Sequence, residues 1–254
     1  MYKLIENKLR AAGCVFAEDE AQLLSSAART TAELDDMVEQ RIAGLPLEHI
    51  LGWAEFCGLR VAVDAGVFVP RKRTAFLVRQ AITLARTGNV VVDLCCGSGA
   101  LGAVLSVHVG RIELHAVDID PVAVRCAQRN ITIAGGHVYE GDLFEPLPAT
   151  LRSRVDVLVA NVPYVPTESI RLLPPEARIY EAFVALNGGE DGLDVMRRVA
   201  GEAARWLVPG GHVLVETSER QVRKTVEIFK SNGLTPQVAT DLELDATIVI
   251  GTRP

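Results

Sequence analysis

Residues 89–102 read NVVVDLCCGSGALG, an apolar run followed by two cysteines and three spaced glycines. A short apolar run bounded by glycine is typical of a buried β-strand. Gly97, Gly99 and Gly102 match the spacing G-x-G-x-x-G, which predicts a tight turn from a strand into a helix whose backbone can approach a ligand closely. On its own, this spacing also fits a strand-to-helix turn that binds nothing.

The chain after this turn repeats the order of strand, turn and helix. We predict strands at 89–94, 113–120, 136–142, 155–161, 212–218, 235–238 and 246–251, and helices at 98–109, 121–134, 192–207 and 219–232. The strands are continuous apolar runs, as expected where helices cover both faces of a parallel sheet. The predicted fold class is therefore α/β with a doubly wound sheet. In such sheets, ligands bind beyond the carboxyl ends of the strands.

The chain ahead of the sheet divides into a helical part and a hairpin. Leu4, Ile5 and Leu9 share one helical face, and Thr30 with Glu33 has the spacing of a capping box. Residues 47–69 contain short runs separated by glycines and are typical of a β-hairpin, and a further helix is predicted at 74–86. The predicted units are a small helical segment at 1–45, a β-hairpin linker at 46–69 and the sheet domain at 70–254.

Composition limits the classes of partner and location. The 254-residue chain carries a formal net charge of −6, so no overall positive field attracts it to nucleic acid or to anionic lipid. It shows no signal peptide and no apolar run of membrane-spanning length. Five cysteines without C-x-x-C spacing predict reduced thiols in a cytoplasmic protein and no metal site. The adjacent Cys95 and Cys96 are interpreted as inert thiols.

Acidic residues lie at the ends of the first three strands of the predicted sheet. The glycine spacing with Asp118 is compatible with a dinucleotide cofactor. Asp93, Asp118 and Asp142 together, without a basic residue for a pyrophosphate, suit a cationic sulfonium nucleoside better. The segment Asp-x-Cys-x-Gly-x-Gly resembles the [DE]-x-G-x-G-x-G signature of class I S-adenosylmethionine methyltransferases, with Cys95 at the first glycine.

That resemblance implies S-adenosyl-L-methionine as the cofactor. It also implies the class I methyltransferase fold, a Rossmann-like doubly wound sheet with a terminal antiparallel strand. The residues then expected at the cofactor are Asp93, Cys95, Cys96, Gly97, Ser98, Gly99, Asp118, Ile119, Asp142, Leu143 and Asn161.

The fourth strand of the sheet ends in Asn161-Val162-Pro163-Tyr164. This tetrapeptide resembles the [DNS]-P-P-[YFW] motif of methyltransferases that alkylate planar amide or amino nitrogens. The Asn161 side-chain oxygen and the Val162 carbonyl can each accept one N–H of an NH₂ group, while Pro163 fixes the backbone. Tyr164 offers a flat face on which a planar amide can stack. These four residues are the predicted catalytic set, although an Asn-initiated turn with a packed tyrosine also explains the pattern.

Further segments resemble the HemK/PrmC family of protein-glutamine N5-methyltransferases. They are RIAGLPLEHILGWAEFCGLRVAV at 41–63, FVPRKRT at 68–74, PPEARIYEAFVALNGGEDGLDVMRR at 174–198, and PGGHVLVETSERQ at 209–221. The resemblance implies methylation of the side-chain amide of a glutamine in a protein. The usual substrate of the family is a peptide chain release factor with its Gly-Gly-Gln loop, so a protein partner is expected and direct nucleic-acid or membrane binding is not.

Three departures from the family pattern fall on the acceptor side. Val162 replaces the first proline of N-P-P-Y, Arg73 and Ala75 stand where the family often has acidic residues, and the segment ahead of residue 41 is shorter than the family's helical substrate-recognition domain. The sequence leaves three alternatives open. They are a nucleic-acid adenine-N6 methyltransferase, a small-molecule N-methyltransferase, and a non-catalytic module that binds the cofactor.

Overall fold

The computed structural model describes residues 2–254. The helices are α1 Tyr2–Ala11, α2 Ala17–Ala27, α3 Thr31–Ile42, α4 Leu47–Leu51, α5 Ala75–Leu84, α6 Ala100–Val109, α7 Pro121–Ile131, α8 Pro175–Tyr180, α9 Phe183–Leu186, α10 Asp194–Trp206 and α11 Val222–Ser231. The strands are β1 Trp53–Phe56, β2 Leu59–Ala62, β3 Val90–Leu94, β4 Glu113–Asp118, β5 His137–Glu140, β6 Val155–Ala160, β7 Leu207–Thr217, β8 Thr235–Asp241 and β9 Ala246–Thr252.

Seven of these strands form one sheet, in the order β5-β4-β3-β6-β7-β9-β8. β9 pairs antiparallel with both of its neighbours, and the other strand pairs of this sheet are parallel. Every residue of the central strand β3 is buried, as the continuous apolar run predicts. The structure confirms the predicted class I methyltransferase fold. The chain leaves β3 toward β4 and later returns to β6 on the other side, so the carboxyl ends of β3 and β6 border the crevice where ligands bind in such sheets.

The N-terminal helices form a small core of their own around Leu9 and Leu24, both fully buried. Thr30 caps α3 as predicted, since its Oγ1 accepts a hydrogen bond from the Glu33 amide at 3.1 Å. The antiparallel pair β1–β2 forms the predicted hairpin. The division of the chain at residues 45 and 69 remains a prediction.

A buried ion cluster ties the N-terminal helices to the sheet domain. Arg41, on α3, is paired with Glu20 on α2 at 2.6 Å and with Glu176 on α8 at 2.5 Å. The Arg41 guanidinium also donates to the Leu45 carbonyl. These carboxylates raise the pKa of Arg41 against the opposing effect of its burial. Arg41 and Glu20 are both buried, so removing either one would leave an uncompensated charge. Glu176 is about half exposed and adds a contact between α3 and α8.

Several local predictions were wrong. Leu4 is 62% exposed and does not share the buried face of Ile5 and Leu9. Residues 47–51 form the short helix α4 rather than part of the hairpin. The predicted turn at 208–211 lies inside β7, because the Gly210 amide donates to the Arg253 carbonyl and the Arg253 amide to the Gly211 carbonyl.

No helix within residues 2–254 combines the length and the apolar character that crossing a bilayer requires. Across the same residues, no group of three histidine, cysteine or acidic side chains is placed to hold a metal ion.

Candidate functional site

The glycine-bearing turn lies between β3 and α6. Cys95, Gly97 and Gly99 all have positive φ angles, of 55°, 55° and 75°. At Gly99 a Cβ atom would lie 2.8 Å from the Cγ1 atom of Ile131, so the close approach of α7 requires glycine there. The Cys96 amide donates to the Val117 carbonyl at 3.0 Å, which fastens the turn to β4.

Asp118 holds this turn from the end of β4. Its Oδ2 atom accepts a hydrogen bond from the Gly97 amide at 2.8 Å, and its Oδ1 atom accepts one from the Asp120 amide at 2.9 Å. Burial raises the pKa of Asp118, although both amides act in the opposite direction. Each oxygen keeps a lone pair for a further donor, such as a ribose hydroxyl group. The neighbouring Ile119 is 49% exposed and lies beside the same cavity.

Asp142 and Leu143 follow β5. Leu143 is buried and adopts a left-handed φ of 52°. The Asp142 carboxylate accepts a hydrogen bond from the Arg198 guanidinium of α10 at 2.7 Å. An apolar side chain beside an oriented carboxylate suits the face and the edge of an adenine ring, which fits the expectation that this pair lies at the cofactor.

Asp93 is placed differently from the other two acids. It is 1% exposed, and its Oδ2 atom accepts a hydrogen bond from the Gly102 amide at 3.0 Å, so it supports the turn from below. Its Oδ1 atom has no partner within residues 2–254. Burial, assisted by the charge of Asp118, raises the pKa of Asp93 to about 7.

We expect the stability of the cofactor-free protein to fall as the pH rises from 3.8, the usual pKa of an aspartate, to about 7, because the unfolded chain releases the Asp93 proton first. The fall amounts to roughly 1.4 kcal/mol for each pH unit in that window. Asp93→Asn removes this contribution. The free energy of unfolding of the wild type and of Asp93→Asn, measured by denaturant titration at pH values below and above this window, gives the contribution. If both proteins showed the same change in stability with pH, the raised pKa assigned to Asp93 would be contradicted.

Asn161 opens the corner that follows β6. Its Oδ1 atom is fully buried and has no hydrogen-bond partner within residues 2–254. Among the turn, loop and cap hydrogen bonds of residues 2–254, no backbone amide donates to the Val162 carbonyl oxygen. A buried acceptor without a donor is unfavourable by about 1–3 kcal/mol, so this corner favours a ligand that brings N–H groups. Pro163, which has no N–H, follows directly.

Gln221 fixes the far side of the corner, a role that sequence reasoning missed. Its Nε2 atom lies 3.0 Å from the Tyr164 carbonyl oxygen, 3.1 Å from that of Asp191 and 3.3 Å from that of Gly192. Its Oε1 atom accepts a hydrogen bond from Ser218. Gln221 is the last residue of the family-like segment at 209–221, so the sequence could have pointed to it. The resemblance does not show which residues Gln221 contacts.

Tyr164 and two charged residues close the acceptor side. The Tyr164 hydroxyl donates to Glu216 at 3.1 Å and accepts from Arg73 at 2.6 Å. The Arg73 Nε atom lies 3.1 Å from the same Glu216 oxygen. Burial and the Glu216 carboxylate raise the pKa of Tyr164, so the phenol stays protonated at neutral pH. Sequence reasoning named Arg73 only as a departure from the family pattern and did not single out Glu216.

One cavity of about 570 Å³ brings most of the predicted residues together. The predicted residues that line it are Cys95, Cys96, Gly97, Ser98, Asp118, Ile119, Asp142, Leu143, Asn161, Val162, Pro163 and Tyr164. Asp93 and Gly99 lie behind its wall. Burial raises the pKa of Cys95 and of Cys96, which favours the inert, protonated thiols predicted from the sequence. The positive-φ turn and the Asp118 carboxylate fit a sulfonium nucleoside, and the unpartnered Asn161 oxygen in the same cavity fits an N–H group.

Val162→Pro, which restores the usual family motif, should be tolerated. The side chain of Val162 is 2% exposed, and the residue already precedes a proline, which restricts it to extended conformations. We expect kcat/KM to change by less than about fivefold, or about 1 kcal/mol in transition-state free energy. Steady-state kinetics measure this, and inactivation would show that the corner holds its acceptor in another way.

Comparisons with known proteins agree with the fold and the family. The family model described as methyltransferase small domain matches residues 58–190, just over half of the chain. A solved 16S rRNA methyltransferase of T. thermophilus, in complex with AdoMet and guanosine, superposes with a TM-score of 0.57 and 19% identity over 80% of this chain and 50% of that chain. The fold and the site define a class I S-adenosylmethionine-dependent methyltransferase.

A release factor glutamine methyltransferase of Geobacter sulfurreducens is 38% identical over 199 residues, which are 78% of this chain and 69% of the relative. The chain belongs to the family of release factor glutamine methyltransferases, as the sequence motifs predicted. A relative from Streptomyces pristinaespiralis, a 4-amino-L-phenylalanine/4-methylamino-L-phenylalanine methyltransferase, is 35% identical over 203 residues, 77% of this chain and 69% of the relative. Relatives of similar sequence identity thus methylate different acceptor molecules. Sequence identity alone therefore does not identify the acceptor of this chain.

Proposed function

We propose that this enzyme transfers the methyl group of S-adenosyl-L-methionine to the side-chain amide nitrogen of a glutamine in a peptide chain release factor. The observation that carries the proposal is the unpartnered, buried Oδ1 atom of Asn161 in the cavity shared with the glycine turn. The family of the chain supports it, because the relative from G. sulfurreducens is a release factor glutamine methyltransferase.

The corner compensates for the weak nucleophilicity of an amide. The amide lone pair is delocalised into the carbonyl group, so the nitrogen attacks poorly unless it is held in place. Asn161 Oδ1 and the Val162 carbonyl each accept one N–H of the glutamine, and Tyr164 stacks on the amide plane. Positioning of this kind supplies roughly 7–11 kcal/mol in favourable cases. The two acceptor dipoles also stabilise the positive charge that develops on nitrogen as the N–C bond forms and the S–C bond breaks. S-adenosylhomocysteine is the leaving group, and the methylated nitrogen releases one proton to solvent.

Transfer from methyl-labelled S-adenosylmethionine to a purified release factor tests the proposal. We expect one methyl group on the glutamine of the Gly-Gly-Gln loop, located by mass spectrometry of the digested protein. A release factor with glutamate in place of that glutamine is the matched control and should remain unlabelled. Label in RNA or in a free amino acid, with none in the release factor, would contradict the proposal.

The expected location is the cytoplasm. All five cysteines are free, which supports the reducing compartment predicted from their number. A protein substrate in translation is consistent with that location, and no role for nucleic acid or membrane is part of the proposal.

A further inference from the structure

Arg73 is a charged residue on the acceptor side of the cavity that the proposed reaction does not use. It lies in the single 3₁₀ turn Lys72–Thr74 that leads into α5, and this turn directs its side chain into the cavity beside Tyr164. The side chain is 36% exposed, so it is neither buried in the protein nor free in solvent.

The contacts of Arg73 occupy only one edge of its guanidinium group. Nε donates to Glu216 and Nη2 donates to Tyr164, and these two N–H groups point in the same direction. The other edge, formed by Nη1 and the second N–H of Nη2, donates to no atom within residues 2–254. Two parallel N–H groups are the geometry with which arginine binds a carboxylate in a bidentate manner.

The surrounding carboxylates are engaged elsewhere and do not occupy this edge. Glu216 lies behind the guanidinium and is 2% exposed, so it does not face the cavity. Glu176 does lie in the cavity wall, and one of its carboxylate oxygens is paired with Arg41. Arg71 is engaged in turn by Glu181, with two contacts at 2.6 and 2.7 Å.

The remaining acids of the cavity wall are Asp118, Asp120 and Asp142, all at the predicted cofactor side. Exposed Lys72 adds a second positive charge on the acceptor side. Within residues 2–254 Lys72 forms no ion pair, so it leaves one uncompensated positive charge in the acceptor half of the cavity.

We propose that Arg73 binds a carboxylate of the acceptor molecule while Asn161 holds the nitrogen that is methylated. This inference rests on the proposed function and adds a requirement for an anionic group on the acceptor. Tyr164 links the two points, because its hydroxyl contacts Arg73 and its residue belongs to the Asn161 corner. The carboxylate has two possible sources, an acidic side chain next to the glutamine or the free α-carboxylate of a chain-terminal glutamine.

Binding of three peptides to the enzyme saturated with S-adenosylhomocysteine tests the inference. The first is a blocked neutral Gly-Gly-Gln peptide, the second carries a glutamate next to the glutamine, and the third ends in glutamine with a free carboxylate. Calorimetric titration gives the three dissociation constants. We expect one carboxylate peptide to bind roughly tenfold to a hundredfold more tightly than the neutral one, the range of a hydrogen bond to a charged group. The peptide that gains affinity identifies the source.

Arg73→Gln should abolish this advantage, and Arg73→Lys should keep part of it. The double variant Arg73→Gln with Glu216→Gln removes both charges and should behave like the single one, which separates carboxylate binding from a merely structural ion pair. Arg79→Gln is the matched control, because Arg79 lies on the neighbouring helix α5 and pairs with Asp241 outside the cavity. S-adenosylhomocysteine affinity shows that each variant is folded.

Three results would overturn the inference. They are equal affinity for all three peptides, no binding of any peptide, and a higher affinity for a carboxylate peptide that persists in Arg73→Gln. Methylation of the bound peptides is read separately. If a carboxylate peptide binds through Arg73 but its glutamine is not methylated, the proposed function is contradicted and the inference about Arg73 is supported.

Discussion

Replacing Asn161 by alanine is expected to lower kcat roughly a hundredfold to a thousandfold, the effect of removing one preorganised dipole from a reacting centre. In the proposed mechanism the buried Oδ1 atom accepts one N–H of the amide, and the Val162 carbonyl alone would leave the nitrogen free to rotate. The glycine turn and Asp118 are untouched, so the dissociation constant of S-adenosylmethionine should change little. Single-turnover transfer and calorimetric titration measure the two quantities.

Asn232→Ala is a matched control for this variant. Asn232 follows α11, its side chain donates to the Ile228 carbonyl, and it lies outside the cavity. Its transfer rate should equal that of the wild type. A large loss of cofactor affinity in Asn161→Ala would contradict the role assigned to Asn161, because it would place the residue mainly on the cofactor.

Replacing Asp118 should affect cofactor binding rather than the rate of methyl transfer. Asp118→Ala should raise the dissociation constant of S-adenosylmethionine roughly tenfold to a hundredfold, since it removes an ionised acceptor of hydroxyl hydrogen bonds and releases the Gly97 amide. At saturating cofactor, kcat should remain close to that of the wild type. Asp118→Asn separates the two causes, because its amide oxygen can still accept from Gly97 without the charge.

The pH dependence provides a second check on Asp118. Burial raises the pKa of this carboxylate, so a given fall in pH protonates it earlier than an exposed aspartate. Because the ionised form is the better acceptor, cofactor affinity should decrease as the pH falls toward that raised pKa. Asp118→Asn should lack this decrease. A wild-type affinity that stays constant with pH while Asp118→Asn binds equally well would remove Asp118 from the cofactor site.

The sheet, and the placement of the predicted cofactor residues around one cavity, were predictable because local signals and tertiary structure agree there. The apolar run before Gly97 becomes the buried strand β3, and glycine at 99 is required by the contact with Ile131. The carboxyl ends of parallel strands meet at one edge, so Asp118 and Asn161 were expected to face a common crevice.

The errors arose where pairing with a distant segment overrules a local preference. The Pro-Gly-Gly sequence at 209–211 favours a turn, but hydrogen bonds between Gly210, Gly211 and Arg253 keep it in β7. The positions of Arg73 and Gln221 were equally beyond sequence reasoning, since each contacts residues more than fifty positions away. Asp93 shows a further limit, because its position at a strand end does not reveal that the carboxylate points beneath the turn.

The ion cluster of Arg41 connects the N-terminal helices to one side of the proposed site. Through Glu176, these helices reach a wall residue on the proposed acceptor side of the cavity, whereas the glycine turn follows a strand of the seven-stranded sheet. We therefore expect changes in the N-terminal helices to alter acceptor binding while S-adenosylmethionine is bound as before.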